Sequence, residues 1–236
     1  MSRSAAGLVA GRRAVLLDAL GTLLELEPPA PRLSRALEER LGLSVGPEDA
    51  ERAITAEMQY YRAHLDEGRD ADSLATLRRR CAEVMGEALV VPAGSPELDA
   101  EQLTLALMES LRFSAYPDAR PTLAALRERG LRLVVVSNWD VSLPEVLERV
   151  GLADRVDAVL TSAGIGARKP APTIFHAGLE AAGVTAAEAI HVGDGVEEDV
   201  GGARGAGIEP VLIARGGTPT PAPGGVRAIR SLGELV

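Results

Sequence analysis

The chain is poor in several residue types, and each shortage excludes a class of structure. Its 236 residues include one cysteine, Cys81, so neither an internal disulfide nor a cysteine-ligated zinc site can form. A lone thiol is typical of a reducing compartment, and we expect a cytoplasmic protein. No apolar run approaches the roughly 20 residues that a membrane-spanning helix needs, so we expect no membrane association.

Aromatic residues and positive charge are also scarce. Trp, Tyr and Phe make up 3% of the chain and the net charge is −9, which argues against nucleic acid as a partner. Almost every basic residue is arginine, and Lys169 is the only lysine. We therefore expect a small-molecule partner, a functional role for this lysine, and either a monomer or a homodimer.

The most strand-like stretch comes early in the chain. Four apolar residues at 14–17 lead into Asp18, and a Gly21-Thr22 turn follows. Such a run predicts a strand that is buried on both faces, as in a parallel sheet, with Asp18 at its carboxyl end. Because a buried carboxylate is costly without a partner, the rest of the chain is expected to supply partners for Asp18.

The remaining sequence indicates two kinds of structure. Residues 25–111 are charged and helical, with four predicted helices, the last starting near Ser95-Pro96-Glu97. From Tyr116 onward helices alternate with buried strands, which predicts a parallel sheet of about five strands with helices on both faces. We expect an α/β domain made of residues 1–24 and 112–236, with the helical bundle of residues 25–111 inserted into it.

Three later segments supply candidate partners for Asp18. One strand ends in Ser137-Asn138, and Lys169 precedes a Pro-x-Pro sequence that begins a helix. A further strand ends at Gly193, and Asp194 and Asp199 follow it. Carboxylates this close together repel one another unless a cation lies among them, and oxygen ligands of this kind suit Mg²⁺.

These four segments, in this order, resemble the four motifs of the haloacid dehalogenase-like (HAD) superfamily, subfamily I with a helical C1 cap. The resemblance covers the whole chain and implies a three-layer, Rossmann-like core. It implies that Asp18 is the nucleophile and forms an aspartyl intermediate. It further implies that Ser137 hydrogen-bonds the phosphoryl oxygens and that Lys169 neutralises the charge shared by the nucleophile and the transferred group.

The resemblance also implies the remaining site residues. Mg²⁺ is expected to bind Asp18, Asp194 and the backbone carbonyl of Leu20, with Asp199 either near the ion or paired with Lys169. Glu198 is the alternative to Asp199 in that role. The residues expected to bind substrate are Thr22, Asn138 and Trp139, whereas His191 is expected to be a core histidine whose hydrogen-bonding groups are satisfied.

The sequence departs from the family pattern at Leu20. Most phosphatases of the family carry a second aspartate there as general acid, and losing proton donation typically costs about 10²- to 10⁴-fold in rate. We predict a Mg²⁺-dependent phosphatase that turns over poor leaving groups slowly, unless Tyr60, Tyr61 or His64 supplies the proton. Two alternatives stay open: a HAD-fold binding protein with little or no turnover, and a 2-haloacid dehalogenase, which also lacks the second aspartate but has no acidic cluster.

Overall fold

A computed structural model describes residues 7–90, 98–216 and 223–236. The chain divides into two compact units, one made of Met1–Glu25 with Ala115–Val236 and the other of Leu26–Ser114. The first is an α/β unit and the second is helical. Within the described residues, no helix has both the length and the apolar character needed to cross a bilayer.

The strands and α-helices are numbered along the chain. They are β1 (Ala14–Leu17), β2 (Leu24–Leu26), α1 (Pro29–Leu41), α2 (Pro47–His64), α3 (Ala71–Glu87), α4 (Ala100–Ser110), β3 (Phe113–Ala115), α5 (Ala119–Glu128), β4 (Arg132–Ser137), α6 (Leu143–Arg149), β5 (Ala158–Thr161), α7 (Ser162–Ile165), α8 (Pro172–Ala182), β6 (Ala189–Gly193), α9 (Gly202–Gly205), β7 (Glu209–Ile213) and β8 (Arg227–Ile229). Short 3₁₀ turns lie at Leu65–Glu67, Ala153–Arg155, Ala186–Glu188 and Leu232–Leu235.

Six strands form one parallel sheet in the order β5-β4-β1-β6-β7-β8. This confirms the predicted Rossmann-like parallel sheet, although the sequence predicted about five strands. The additional strand, β8, has three residues and is too short to form a recognisable apolar run. Strand β1 is central, so the loops that follow β4 and β6 flank the one that begins at Asp18.

Both faces of the sheet are covered. Leu16 and Val136 pack with Phe175 of α8 on one face. The intervening residues of β1 and β4, such as Val15 and Val135, are also fully buried, and α5 packs against β4. Double coverage explains why the strands are continuous apolar runs and not alternating ones.

One predicted helix has an unexpected form. The sequence predicted a continuous helix over residues 196–206, but the structure has a π-helix over Val196–Gly201 followed by the short helix α9. The backbone N–H of Val200 donates to the carbonyl of Gly195, an i→i−5 hydrogen bond that widens this turn. The wide turn carries Asp199.

The helical unit contains α1 to α4 around its own apolar core. Helix α1 ends at Gly42, whose φ of 63° is the left-handed conformation that a helix C-terminus favours. Helix α3 begins with a capping box between Asp70 and Ser73. Helix α4 is capped by Asp99, whereas the predicted start at Ser95–Glu97 lies outside the described residues. The fully or nearly fully buried core residues include Leu33, Leu37, Leu77, Met85 and Leu107.

Candidate active site

Asp18 lies directly after β1, in the loop at the carboxyl edge of the sheet. Its backbone N–H donates to the carbonyl of Val192, 2.9 Å away, which extends the pairing of β1 with β6 by one residue. Its buried carboxylate accepts two hydrogen bonds at Oδ1, from Ser137 Oγ at 3.0 Å and from Lys169 Nζ at 2.6 Å. The structure therefore brings together the three residues that the sequence predicted to be catalytic.

Lys169 is the centre of a buried charge network. Only 1% of the residue is exposed, and Nζ lies 2.6 Å from both Asp18 Oδ1 and Asp199 Oδ1. Burial would lower the pKa of Lys169, but the charges of Asp18 and Asp199 outweigh it and hold the pKa above its usual value. The ammonium is therefore charged at any physiological pH.

Asn138 holds the backbone of Lys169. Its Oδ1 accepts the backbone N–H of Lys169 at 2.7 Å, and its Nδ2 donates to the Lys169 carbonyl at 3.1 Å. The sequence predicted that Asn138 binds substrate, but the structure directs both polar atoms of its side chain to the lysine. These two hydrogen bonds fix the position of the Lys169 backbone, from which the side chain extends to Asp18.

Asp199 accepts three hydrogen bonds. Besides Lys169, His191 Nε2 lies 2.8 Å from Oδ1, and the backbone N–H of Gly195 donates to Oδ2 at 2.8 Å. Burial opposes its ionisation, but Lys169 and the hydrogen bond to His191 hold the pKa of Asp199 well below its usual range. Of the two roles that the sequence left open, these contacts favour pairing with Lys169.

Asp194 is the solvent-facing member of the acidic group. Partial desolvation, together with the neighbouring charges of Asp18 and Asp199, raises the pKa of Asp194 to about 7. A Cβ on Gly21 would overlap the Asp194 carboxylate, so glycine is required for this approach; its φ of 80° also favours glycine.

The acidic group suits a divalent cation. One carboxylate oxygen from each of Asp18, Asp194 and Asp199 lies within 4.8 Å of the others. Burial and the charge of Asp199 raise the pKa of Asp18, even though Lys169 opposes the shift. Repulsion between the carboxylates adds to the effect of burial on both pKa values. A cation would relieve this repulsion, and oxygen ligands suit Mg²⁺. The donor set therefore fits the ion that the sequence predicted.

The other predicted substrate residues have little exposed surface. Thr22 is fully buried, and its hydroxyl finds no hydrogen-bond partner among the described residues. Trp139 is also buried, and its backbone N–H donates to Ser162 Oγ at 3.2 Å.

Two of the candidate proton donors lie together in the helical unit. Tyr60 stacks on His64, with ring centroids 4.2 Å apart.

The partner of His191, Asp199, was not predicted from the sequence. A signal was available, because a histidine stands within the otherwise apolar strand β6. The partner could not be identified, because the π-helix that turns Asp199 toward this strand has no recognisable sequence pattern.

Comparisons with known proteins agree on one family. A family model described as haloacid dehalogenase-like hydrolase matches residues 12–207. The chain is 43% identical to haloacid dehalogenase-like hydrolase domain-containing protein 3 of Bos taurus, over 49% of this chain and 46% of that protein. It is 40% identical to a phosphoserine phosphatase of Thermus thermophilus, over 58% of this chain and 55% of that protein. The matches thus span about half the length of these curated relatives.

Solved structures match over nearly the whole chain. A HAD phosphatase from Thermococcus onnurineus superposes with a TM-score of 0.64 at 30% identity, covering 94% of this chain and 95% of that one. An L-2-haloacid dehalogenase from Xanthobacter autotrophicus superposes with a TM-score of 0.68 at 26% identity, covering 95% and 96%. These likenesses establish a common fold, but they include two different activities and do not choose between them.

Proposed function

Since the chain belongs to the haloacid dehalogenase-like hydrolase family, we propose that it is a Mg²⁺-dependent phosphatase that acts on a small phosphorylated metabolite. The main support for this proposal is the position of Lys169 Nζ, which lies 2.6 Å from both Asp18 Oδ1 and Asp199 Oδ1. The ammonium partly compensates the buried charge of Asp18. It also offers positive charge at the place where a phosphoryl group would meet that carboxylate.

The proposed reaction uses Asp18 as the nucleophile. A carboxylate oxygen forms a bond to phosphorus while the bond from phosphorus to the leaving oxygen breaks, which gives an aspartyl phosphate. Water then attacks that phosphorus, so that the carboxylate is regenerated and inorganic phosphate is released. Lys169 and Ser137 donate hydrogen bonds at Asp18 Oδ1, which hold the carboxylate in one orientation throughout.

Asp18, Asp194 and the backbone carbonyl of Leu20 are the groups that we propose would hold Mg²⁺. When bound, the ion would neutralise negative charge on the phosphoryl group. Asp199 would act through Lys169, because three hydrogen bonds already occupy its carboxylate.

Leu20 determines which substrates would react well. A leucine cannot protonate the leaving oxygen, so the rate should depend steeply on the leaving group's own acidity. Aryl and acyl phosphates should be hydrolysed much faster than alkyl phosphates. The variant Leu20→Asp should increase turnover of alkyl phosphates by about 10²- to 10⁴-fold and change aryl phosphate turnover far less.

The direct test is hydrolysis of p-nitrophenyl phosphate with Mg²⁺ and with a chelator. We expect turnover that needs Mg²⁺ and falls by at least about 10³-fold in Asp18→Asn, since that variant lacks the nucleophile. A rate that Asp18→Asn leaves unchanged would show that the activity does not arise from this site.

Two other functions can be tested on the same protein with different readouts. A protein that binds phosphorylated ligands without turnover would show saturable Mg²⁺-dependent binding but no phosphate release. This chain has leucine at position 20, and its fold is similar to that of a haloacid dehalogenase. The test should therefore also include 2-chloropropionate as a substrate. Chloride release without Mg²⁺ would identify a dehalogenase, whereas the acidic group around Asp18 favours the phosphatase.

The substrate and the role of the helical unit are further proposals. We propose that residues 25–111 form a cap that selects the substrate, and that the protein acts in the cytoplasm as a monomer or homodimer. A screen of phosphorylated metabolites should begin with phosphoserine, the substrate named for one relative. Exchange of the helical unit for that of another family member should change substrate preference without removing aryl phosphate turnover.

A further inference from the structure

His191 is a polar residue in an apolar setting. It lies within β6, is completely buried, and is in register with Leu16 of the neighbouring strand β1 and Pro210 of the neighbouring strand β7. Burying an imidazole in such a place is unfavourable unless a hydrogen bond compensates it. The compensating partner is Asp199, whose Oδ1 lies 2.8 Å from His191 Nε2.

The two ring nitrogens of His191 have different surroundings. His191 Nε2 faces a carboxylate that can only accept, whereas Nδ1 finds no hydrogen-bond partner among the described residues. Burying a lone pair without a partner at Nδ1 costs less free energy than burying an unpaired N–H there. The hydrogen therefore resides on Nε2, and His191 is a donor to Asp199.

The orientation of the ring is also fixed by packing. Phe175 of α8 meets the imidazole edge-on, with centroids 5.0 Å apart and an angle of 87° between the planes. A Cβ on Gly202 would crowd the Phe175 ring, so this glycine lets the phenyl group approach closely. The ring of His191 is thus held in place on one side and hydrogen-bonded on the other.

Asp199 is the link between His191 and the reactive group. Its Oδ1 is shared by His191 Nε2 and Lys169 Nζ, and its Oδ2 accepts the backbone N–H of Gly195. Donors on both oxygens prevent the carboxylate from rotating. Lys169 Nζ therefore has a fixed second anchor besides Asp18.

We propose that His191 is a positioning residue that holds Asp199, and through it the Lys169 ammonium, at the place where Lys169 meets Asp18. This inference rests on the proposed function for its effect on turnover. The order of contacts is Phe175, His191, Asp199, Lys169 and Asp18, and none of the first three touches the reacting atoms. Packing alone does not explain a histidine here, because an aliphatic side chain would fill the space without an unpaired nitrogen.

Two variants separate positioning from packing. Glutamine carries an N–H the same number of bonds from the backbone as His191 Nε2, whereas leucine fills similar space without a donor. We expect His191→Leu to lower kcat for p-nitrophenyl phosphate by about 10- to 100-fold, as for other groups that orient a site ligand, with little change in KM. His191→Gln should keep most of the activity.

The control is His176→Gln, at an exposed position of α8 next to Phe175, which should leave kcat unchanged. Equal losses of kcat in the leucine and glutamine variants, or no loss in either, would overturn the proposal. If His191→Leu does not fold, His191→Asn takes its place, because its amide is too short to reach Asp199.

A second measurement does not depend on activity. Because Lys169 is the only lysine, labelling the protein with ¹⁵N-lysine gives a single side-chain Nζ resonance. We expect a sharp, slowly exchanging ammonium signal in the wild type and in His191→Gln, and a shifted or broadened one in His191→Leu. The same signal in all three proteins would overturn the proposal, even if no phosphate ester proved to be a substrate and the proposed function failed.

Discussion

Asp199 in the α/β unit and Glu57 in the helical unit are both buried carboxylates, but their surroundings shift their pKa values in opposite directions. In the α/β unit, Asp199 is paired with Lys169, and its pKa lies well below the usual range. In the helical unit, Glu57 of α2 is 3% exposed, and burial raises its pKa to about 7, with only a hydrogen bond to the Cys81 thiol opposing the shift. Among the described residues, no ion pair includes Glu57.

This difference shows what a cation does for a buried acid. The charge of Lys169 keeps Asp199 ionised in spite of burial, whereas Glu57 has no such partner and remains protonated until close to neutral pH. Contact with the same ammonium is not sufficient at Asp18, because burial and the charge of Asp199 still raise its pKa.

Removing the ammonium of Lys169 should leave buried acids of the α/β unit without a cation, as Glu57 already is in the helical unit. In Lys169→Met, Asp18 and Asp199 would be left buried without a positive partner, so we expect a loss of about 3–5 kcal/mol in the free energy of unfolding. Urea denaturation measures this, and phosphatase turnover should also disappear. Lys169→Arg is the matched control for charge, and we expect it to recover stability only in part, because a planar guanidinium differs in shape from an ammonium. A loss below about 1 kcal/mol in Lys169→Met would contradict the role assigned to the lysine.

Glu57 should make the helical unit sensitive to pH. The unfolded chain releases the Glu57 proton near pH 4.5, whereas the folded protein holds it to about pH 7. The unfolded state therefore gains relative stability over this interval, and the free energy of unfolding should decrease as the pH rises through it. The full effect is about 3 kcal/mol at most.

Circular dichroism during urea unfolding at pH 5 and pH 8 would measure this decrease. Glu57→Gln should remove part of this difference, because its amide does not ionise; Asp194, whose pKa is also raised to about 7, should account for another part. An equal pH dependence in both proteins would show that Glu57 is not its source.

Crowding the Asp199 carboxylate should destabilise the protein less than removing the charge of Lys169. A Cβ on Gly193 would overlap the Asp199 carboxylate, so Gly193→Ala should shift this group and cost about 1–3 kcal/mol in stability. Gly205→Ala in α9 is the control, since a Cβ there meets nothing within 4 Å. Thermal unfolding and kcat should both distinguish the two variants; similar behaviour would mean that the backbone adapts easily at Gly193.

An exposed ion pair should contribute least. Arg79 Nε and Glu83 Oε1 lie 3.8 Å apart on the surface of α3. Arg79→Ala should change the free energy of unfolding by less than about 0.5 kcal/mol, because water and salt already screen these charges. A larger change, measured by urea denaturation, would indicate that solvent exposure is a poor guide to the value of a charge pair in this protein.

Much of the candidate site could be predicted from sequence. Asp18 and Asp194 each follow a strand of the parallel sheet and Ser137 ends one. Because β1 lies between β4 and β6, these side chains meet at one edge. The helices of the helical unit were predictable for a similar reason, since apolar residues at helical spacing and a terminal glycine at Gly42 are local signals. Prediction succeeded where structure follows from nearby residues.

Other features depended on contacts between distant residues. The engagement of Asn138 with the Lys169 backbone joins residues 31 positions apart, and the burial of Glu57 beside Cys81 joins two helices. The π-helix that presents Asp199 arises from a backbone register that no residue pattern marks. Short strands such as β8 were missed because three residues carry too little periodicity.

Buried strands and the motifs that follow them are local patterns. The fold class, the family and the chemical identity of the residues around Asp18 could therefore be predicted from the amino-acid sequence alone. The folded structure was needed to learn how each charge is paired, which polar atoms already have hydrogen-bond partners and which buried acid has no cation beside it. The physical reason is that hydrogen bonding and desolvation depend on atomic distances between remote segments, and these distances exist only once the sheet and the helices have packed.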